Sequence, residues 1–76
     1  MTDSGIDRAI LGVALPRWQK VAMVIIKAAE RLGPSLPEGE SGYRLVARRI
    51  QALVGEARLV ARGNIERWRH SEVRLP

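Results

Sequence analysis

Within YRLVARRIQALVGEARLVAR, residues 43–62, the spacing of apolar side chains changes from a helical period to a strand period. On the near side, Tyr43, Val46, Ala47, Ile50, Leu53 and Val54 recur at 100° per residue and form one face of a helix from about Gly42 to Val54. Gly55 stands where a helix stop is expected, with Ser41 as the cap at the other end. Beyond it Leu59 and Ala61 point one way while Arg58, Val60 and Arg62 point the other, the period-2 pattern of a strand covered on one side. A helix feeding directly into a strand excludes an all-helical bundle and an all-β barrel alike.

The flanking sequence supplies further elements. Ser4 as cap and Asp7 in the first turn introduce a short helix from about Gly5 to Ala14, with Ile6, Ile10 and Val13 or Ala14 on one side. Pro16 ends it, because proline restricts Leu15 and lacks the amide hydrogen that would continue the ladder. Pro16 is also a good first residue for a second helix, on which Trp18, Val21, Ala22, Ile25, Ala28, Ala29 and Leu32 share a face flanked by Val24 and Ile26. Met23 projects into the polar arc between Lys20 and Lys27, as an isolated exposed apolar residue or as one edge of an oligomer contact. Gly33 and Pro34 stop this helix, and the loop that follows carries Leu36 as a plug for the edge of the core.

After Gly63 and Asn64 break the strand, Asn64 is placed to cap a single helical turn with Ile65 and Trp68 on one side. SEVRLP then alternates again, with Val73 and Leu75 inward and Glu72 near the outward arginines. The expected architecture is α+β and mainly α: one domain over residues 1–76, with three helices followed by a C-terminal two-stranded antiparallel hairpin.

Length and composition narrow the function. A 76-residue chain buries only about 60% of its unfolded surface, which leaves little room for a deep catalytic cleft. Without cysteine there is neither disulfide nor thiolate zinc site, so one apolar core must carry the fold. The sequence has no phosphate-cradling glycine loop, nucleophile elbow or His/Cys/Asp constellation, and His70, the single histidine, has no second ligand near it. The expectation is a non-enzymatic, cofactor-free, metal-free protein. The start MTDSGIDRAI lacks the basic and apolar regions of a secretory signal, and no apolar run approaches the roughly 20 residues of a spanning helix, so a cytoplasmic, non-membrane protein is expected.

Charge is the strongest functional signal. Residues 1–43 carry five basic and five acidic side chains, whereas residues 44–76 carry eight arginines against three glutamates, so the whole excess of +5 lies in the second half. Arginine suits phosphate and carboxylate, although a composition rich in Ala, Arg, Gly and Leu is also what a high-GC genome produces.

The order helix, helix, helix, hairpin, together with RRIQALVGEARLVARG, resembles the winged helix-turn-helix superfamily over residues 6–76. The arginine-rich turn leading into SEVRLP is similar to small uncharacterised bacterial winged-helix modules. The resemblance implies a third helix entering the major groove of DNA and a hairpin reaching backbone or minor groove. Carried onto this chain, it assigns Arg44, Arg48, Arg49 and Gln51 to the helix face and Arg62, Arg67 and Arg69 to the hairpin. Two departures stand out: the link from Gly33 to Ser41 is longer than the usual turn of about 3 to 4 residues, and Leu45 lies mid-face. The competing reading is a protein-interaction module for an acidic partner, with Leu45, Ala52 and Trp68 as its apolar centre. Trp68 would stack on a base in the first reading, or simply fold back with Ile65 over the hairpin. A homodimer is compatible with both.

Overall fold

The structure, a computed structural model, describes residues 2–76. It contains three helices, α1 (Asp3–Val13), α2 (Val21–Leu32) and α3 (Glu40–Gly55), a 3-10 turn at Gly33–Ser35, and three strands, β1 (Gln19–Lys20), β2 (Val60–Gly63) and β3 (Ser71–Arg74). The strands form one antiparallel sheet in the order β1-β3-β2. The α+β, mainly helical class expected from sequence is therefore observed, with a third strand in addition to the hairpin. No helix among the described residues is long and apolar enough to cross a membrane.

α1 begins two residues before its expected start. Thr2, not Ser4, is the cap: it is extended, and its Oγ1 accepts a hydrogen bond from the Gly5 amide at 3.1 Å. This puts Asp3 in the first turn, where a carboxylate suits the helix dipole. Ile6, Ala9 and Ile10 are buried against the other two helices.

The second departure is larger. Pro16 does not start α2, and Trp18 is not on its face. Residues 19–20 are instead extended along β3, with Gln19 opposite Val73 and Lys20 opposite Glu72. Two contacts hold the approach to this strand: the Leu75 amide donates to the Leu15 carbonyl at 2.8 Å, and the Leu15 amide donates to Gln19 Oε1 at 3.2 Å. Pairing satisfies backbone groups that β3 would otherwise expose on that edge, and this outweighs the local helical preference of residues 16–20. α2 then starts at Val21 without a side-chain cap. One of its otherwise unmet amides, that of Ala22, donates to the Trp68 carbonyl at 3.1 Å.

α2 is the centre of the core. Val21, Val24, Ile25 and Ala28 are buried, and α1 and α3 pack on it from two sides. α3 contributes Val46, Ala47, Ile50 and Leu53 to the same core, to which Leu59 and Val73 are added from the sheet end. Burying a side chain the size of Ile10 or Ile50 contributes about 1.5–3 kcal/mol each. Leu36 plugs the core edge as expected.

Tyr43 does not join the core; it is 38% exposed. Leu36 already fills the space at that end, and Gly42 is buried against the same loop, where a Cβ would overlap the Pro37 carbonyl oxygen. The start of α3 is therefore set by close backbone approach, with Gly39 as its cap residue and Ser41 inside its first turn.

The end of α3 is also displaced from the expected stop. Gly55 is the last helical residue, and the residue with positive φ is Ala57, at 61°. The Arg58 amide bonds to the Leu53 carbonyl at 2.9 Å and the Ala57 amide to the Val54 carbonyl at 3.0 Å, the paired bonds of a Schellman stop. Alanine in the left-handed region costs roughly 1–2 kcal/mol. Ala57→Gly should accordingly raise unfolding free energy by about 1 kcal/mol in a urea titration. Gly55→Ala should raise it too, by up to about 1 kcal/mol, since it removes a helical glycine and a Cβ there meets no atom within 4 Å. A loss of stability in Gly55→Ala would mean that Gly55 is the true left-handed stop.

Candidate nucleic-acid interface

The hairpin follows the expected alternation. Ala61 pairs with Val73 and Gly63 with Ser71, while Arg62 pairs with Glu72 and Val60 with Arg74. Val73 and Ser71 are buried, so the first two pairs are on the core side and the arginines on the other. Gly63 has φ 81°, and a Cβ on it would lie 2.7 Å from the His70 carbonyl oxygen. The chain therefore leaves β2 at a position only glycine fits without strain.

Between β2 and β3 runs a turn, residues 64–70, that carries Arg67, Trp68 and Arg69. Asn64 organises it as an Asx turn and does not start a helix: its Oδ1 accepts from the Glu66 amide at 3.1 Å and its carbonyl from the Arg67 amide at 2.9 Å. Ser71 secures the far side, with its buried hydroxyl donating to the Arg67 carbonyl at 2.9 Å. Trp68 and Ile65 pack partly on the core, and the Trp68 carbonyl is tied to α2. A turn with this many internal bonds presents its arginines from a fixed base.

α3 and this turn together line a surface groove of about 350 Å³. Its walls are Glu40, Arg44, Ala47, Arg48 and Gln51 from α3, with Glu66 and Trp68 from the turn. An adjoining hollow of about 270 Å³ on the turn is lined by Glu66, Arg67, Trp68, Arg69 and His70. Arg44, Arg48, Gln51, Arg67, Arg69 and Trp68 thus fall on one continuous surface. Arg48 makes no ion pair among the described residues. Arg44 is 3.0 Å from Glu40 one turn earlier, but both side chains are largely exposed, and such a pair contributes little in water. Glu40 and Glu66 lie in the same lining as Arg44 and Arg48, so the groove carries charges of both signs.

Arg49 and Arg62, expected on this surface, are engaged elsewhere. Arg49 turns from α3 to α1, where its Nε and Nη2 donate to the two carboxylate oxygens of Asp7 at 2.8 and 3.0 Å. Asp3 adds a longer contact at 3.5 Å. Those hydrogen bonds, with the field of Asp7, Asp3 and Glu56, hold the Arg49 guanidinium above its ordinary pKa despite partial burial. It is a two-pronged clamp between the first and third helices. Helical spacing places Arg49 on the exposed face of α3 and does not show that α1 brings an acidic residue across from it.

Arg62 lies on the outer side of the sheet. It bonds Glu72 Oε1 through Nε at 2.8 Å, and its guanidinium carbon is 4.3 Å from the centre of the Trp18 ring. Arg74 lies 5.1 Å from the same ring. Trp18 thus gathers two arginines of the hairpin, an association that helical spacing, which places Trp18 on the buried face of α2, does not reveal.

The apolar centre proposed for a protein-interaction face is also changed. Leu45, Ala52 and Trp68 are all half-buried, and Leu45 and Trp68 both pack against the core. No family model, curated protein or solved structure matches the chain.

The partition of the arginines has a direct check in thermal unfolding followed by circular dichroism. Arg49→Met should lower the midpoint clearly, because Asp7 is left without its partner. Arg48→Met, one position away, should change stability by no more than about 0.5 kcal/mol.

Proposed function

We propose that this chain is a winged-helix-like module that binds nucleic acid, duplex DNA in the first instance, through α3 and the turn between β2 and β3. The observation that carries the reading is the meeting of Arg44, Arg48 and Gln51 with Arg67, Arg69 and Trp68 on one surface. Charge alone is not specific, but two basic elements joined by a groove match the way a helix and a wing follow adjacent parts of a duplex. Three helices followed by the β2–β3 pair keep the order of elements on which the resemblance rests.

Arg44, Arg48, Arg67 and Arg69 supply the phosphate contacts, and Gln51 is the side chain on α3 suited to a base edge, where glutamine pairs with adenine. Arg49 and Arg62 shape the surface and do not contact the nucleic acid directly. With four phosphate contacts the logarithm of affinity should fall against the logarithm of salt concentration with a slope of about −3.6. Binding, not catalysis, is the activity proposed, in a cytoplasmic setting.

Fluorescence anisotropy with a labelled random-sequence duplex tests this. Binding at low salt that weakens steeply at moderate salt is expected, and no detectable binding at low salt would sink the proposal. Arg48→Met should reduce the salt slope by about 1, whereas Arg49→Met, measured where the protein remains folded, should leave the slope unchanged.

A further inference from the structure

Trp68 and Glu66 line both hollows of the basic surface, the groove of about 350 Å³ against α3 and the adjoining one of about 270 Å³ on the turn. In the second hollow Trp68 is the one apolar side chain, among Glu66, Arg67, Arg69 and His70. In the first it is joined by Ala47, which is buried. The apolar surface that a ligand meets in either hollow is therefore that of a single indole ring. The backbone beneath the ring is fixed on both sides. The Arg67 carbonyl accepts from the Ser71 hydroxyl and the His70 amide, each at 2.9 Å, and the Trp68 carbonyl accepts from the Ala22 amide at 3.1 Å. A side chain held on such a base loses little freedom when a ligand covers it.

The polar lining selects the kind of ligand. The side chains of Arg48, Gln51 and Glu66 make no hydrogen bond among the described residues, so both donors and acceptors stand unengaged around the ring. A backbone phosphate offers acceptors alone and leaves Glu66 without a partner. A nucleobase offers a flat π-face to the indole and, along its edge, the amino donors and carbonyl or ring-nitrogen acceptors that glutamate, glutamine and arginine recognise. In a duplex the faces are covered by neighbouring bases and the pairing edge by the complementary strand. Only an unpaired base presents face and pairing edge together. Arg67 and Arg69, in the adjoining hollow, are then placed for the phosphates on either side of it.

We propose that this surface takes an unpaired nucleotide, with its base stacked on Trp68 and its edge met by Arg48, Gln51 and Glu66, so that the protein favours single-stranded or looped nucleic acid over a continuous duplex. The inference rests on the nucleic-acid reading above and narrows it. One ring holds one base, so a loop or an overhang suffices.

Fluorescence anisotropy at a single salt concentration tests it with three labelled ligands: a DNA strand without self-complementarity, the same strand annealed to its complement, and a strand of equal length made of abasic units. Charge alone ranks the duplex first, because its phosphates are denser. The expected order is the reverse, with the intact strand several-fold tighter than the duplex and tighter than the abasic strand. Trp68→Leu keeps an apolar side chain against the core and removes the ring. It should weaken single-strand binding about tenfold and leave duplex binding within about twofold, whereas Trp68→Phe should stay within a few-fold of the wild type. A second readout does not depend on how Trp68→Leu folds. In Trp18→Phe the remaining tryptophan is Trp68, whose emission should be quenched on saturation with the intact strand and not with the abasic one. A duplex bound as tightly as the single strand, an abasic strand equal to the intact one, or unchanged Trp68 emission would overturn this inference and leave nucleic-acid binding standing. Failure of all three ligands to bind at low salt would remove both.

Discussion

Strand β3 has a hydrogen-bonded neighbour on both edges, and most of what positions the candidate site passes through its four residues. On one side it captures β1, which sets where α2 can begin. On the other it pairs with β2, which follows from the end of α3. Its first residue, Ser71, holds the carbonyl of Arg67 and so anchors the basic turn. Val73, fully buried, joins this small sheet to the helical core. In a chain of this size one such central strand ties together elements that have little apolar surface of their own.

The arginines divide by what stands opposite them. Where a carboxylate or an aromatic ring is fixed by another element, as Asp7 is for Arg49 and Trp18 for Arg62 and Arg74, the guanidinium becomes part of the framework. Where the nearest carboxylate is exposed and on the same helix, as Glu40 is for Arg44, the charge remains exchangeable with an outside anion. The same residue type therefore serves two ends, and the difference is one of geometry and solvent access, since a shielded two-pronged pair is retained where an exposed single contact is readily replaced.

The groove surface is polar and basic, and an ionic partner there would be held mainly through counterion release, in a salt-dependent way.

Periodicity alone determined most of the core. Val46, Ala47, Ile50, Leu53 and Leu59, and the inward Val73, follow from repeats of 3.6 and 2, because a side chain's face depends only on local backbone geometry. The basic asymmetry of the second half was equally plain, being a property of composition. What spacing did not contain was everything that depends on a distant partner. Residues 16–20 have a helical stripe that fits α2, yet Gln19 and Lys20 are extended because β3, more than fifty positions later, offers its edge. Tyr43 fell outside the core because Leu36 had taken that end of it. Arg49 left the exposed face because Asp7, in α1, came within reach. Local preferences of a few tenths of a kcal/mol per residue decide the faces of helices and strands, whereas backbone pairing and ion pairing across the fold are larger and act only once the chain has closed. Tertiary structure thus decided which of the arginines remain free to meet a partner.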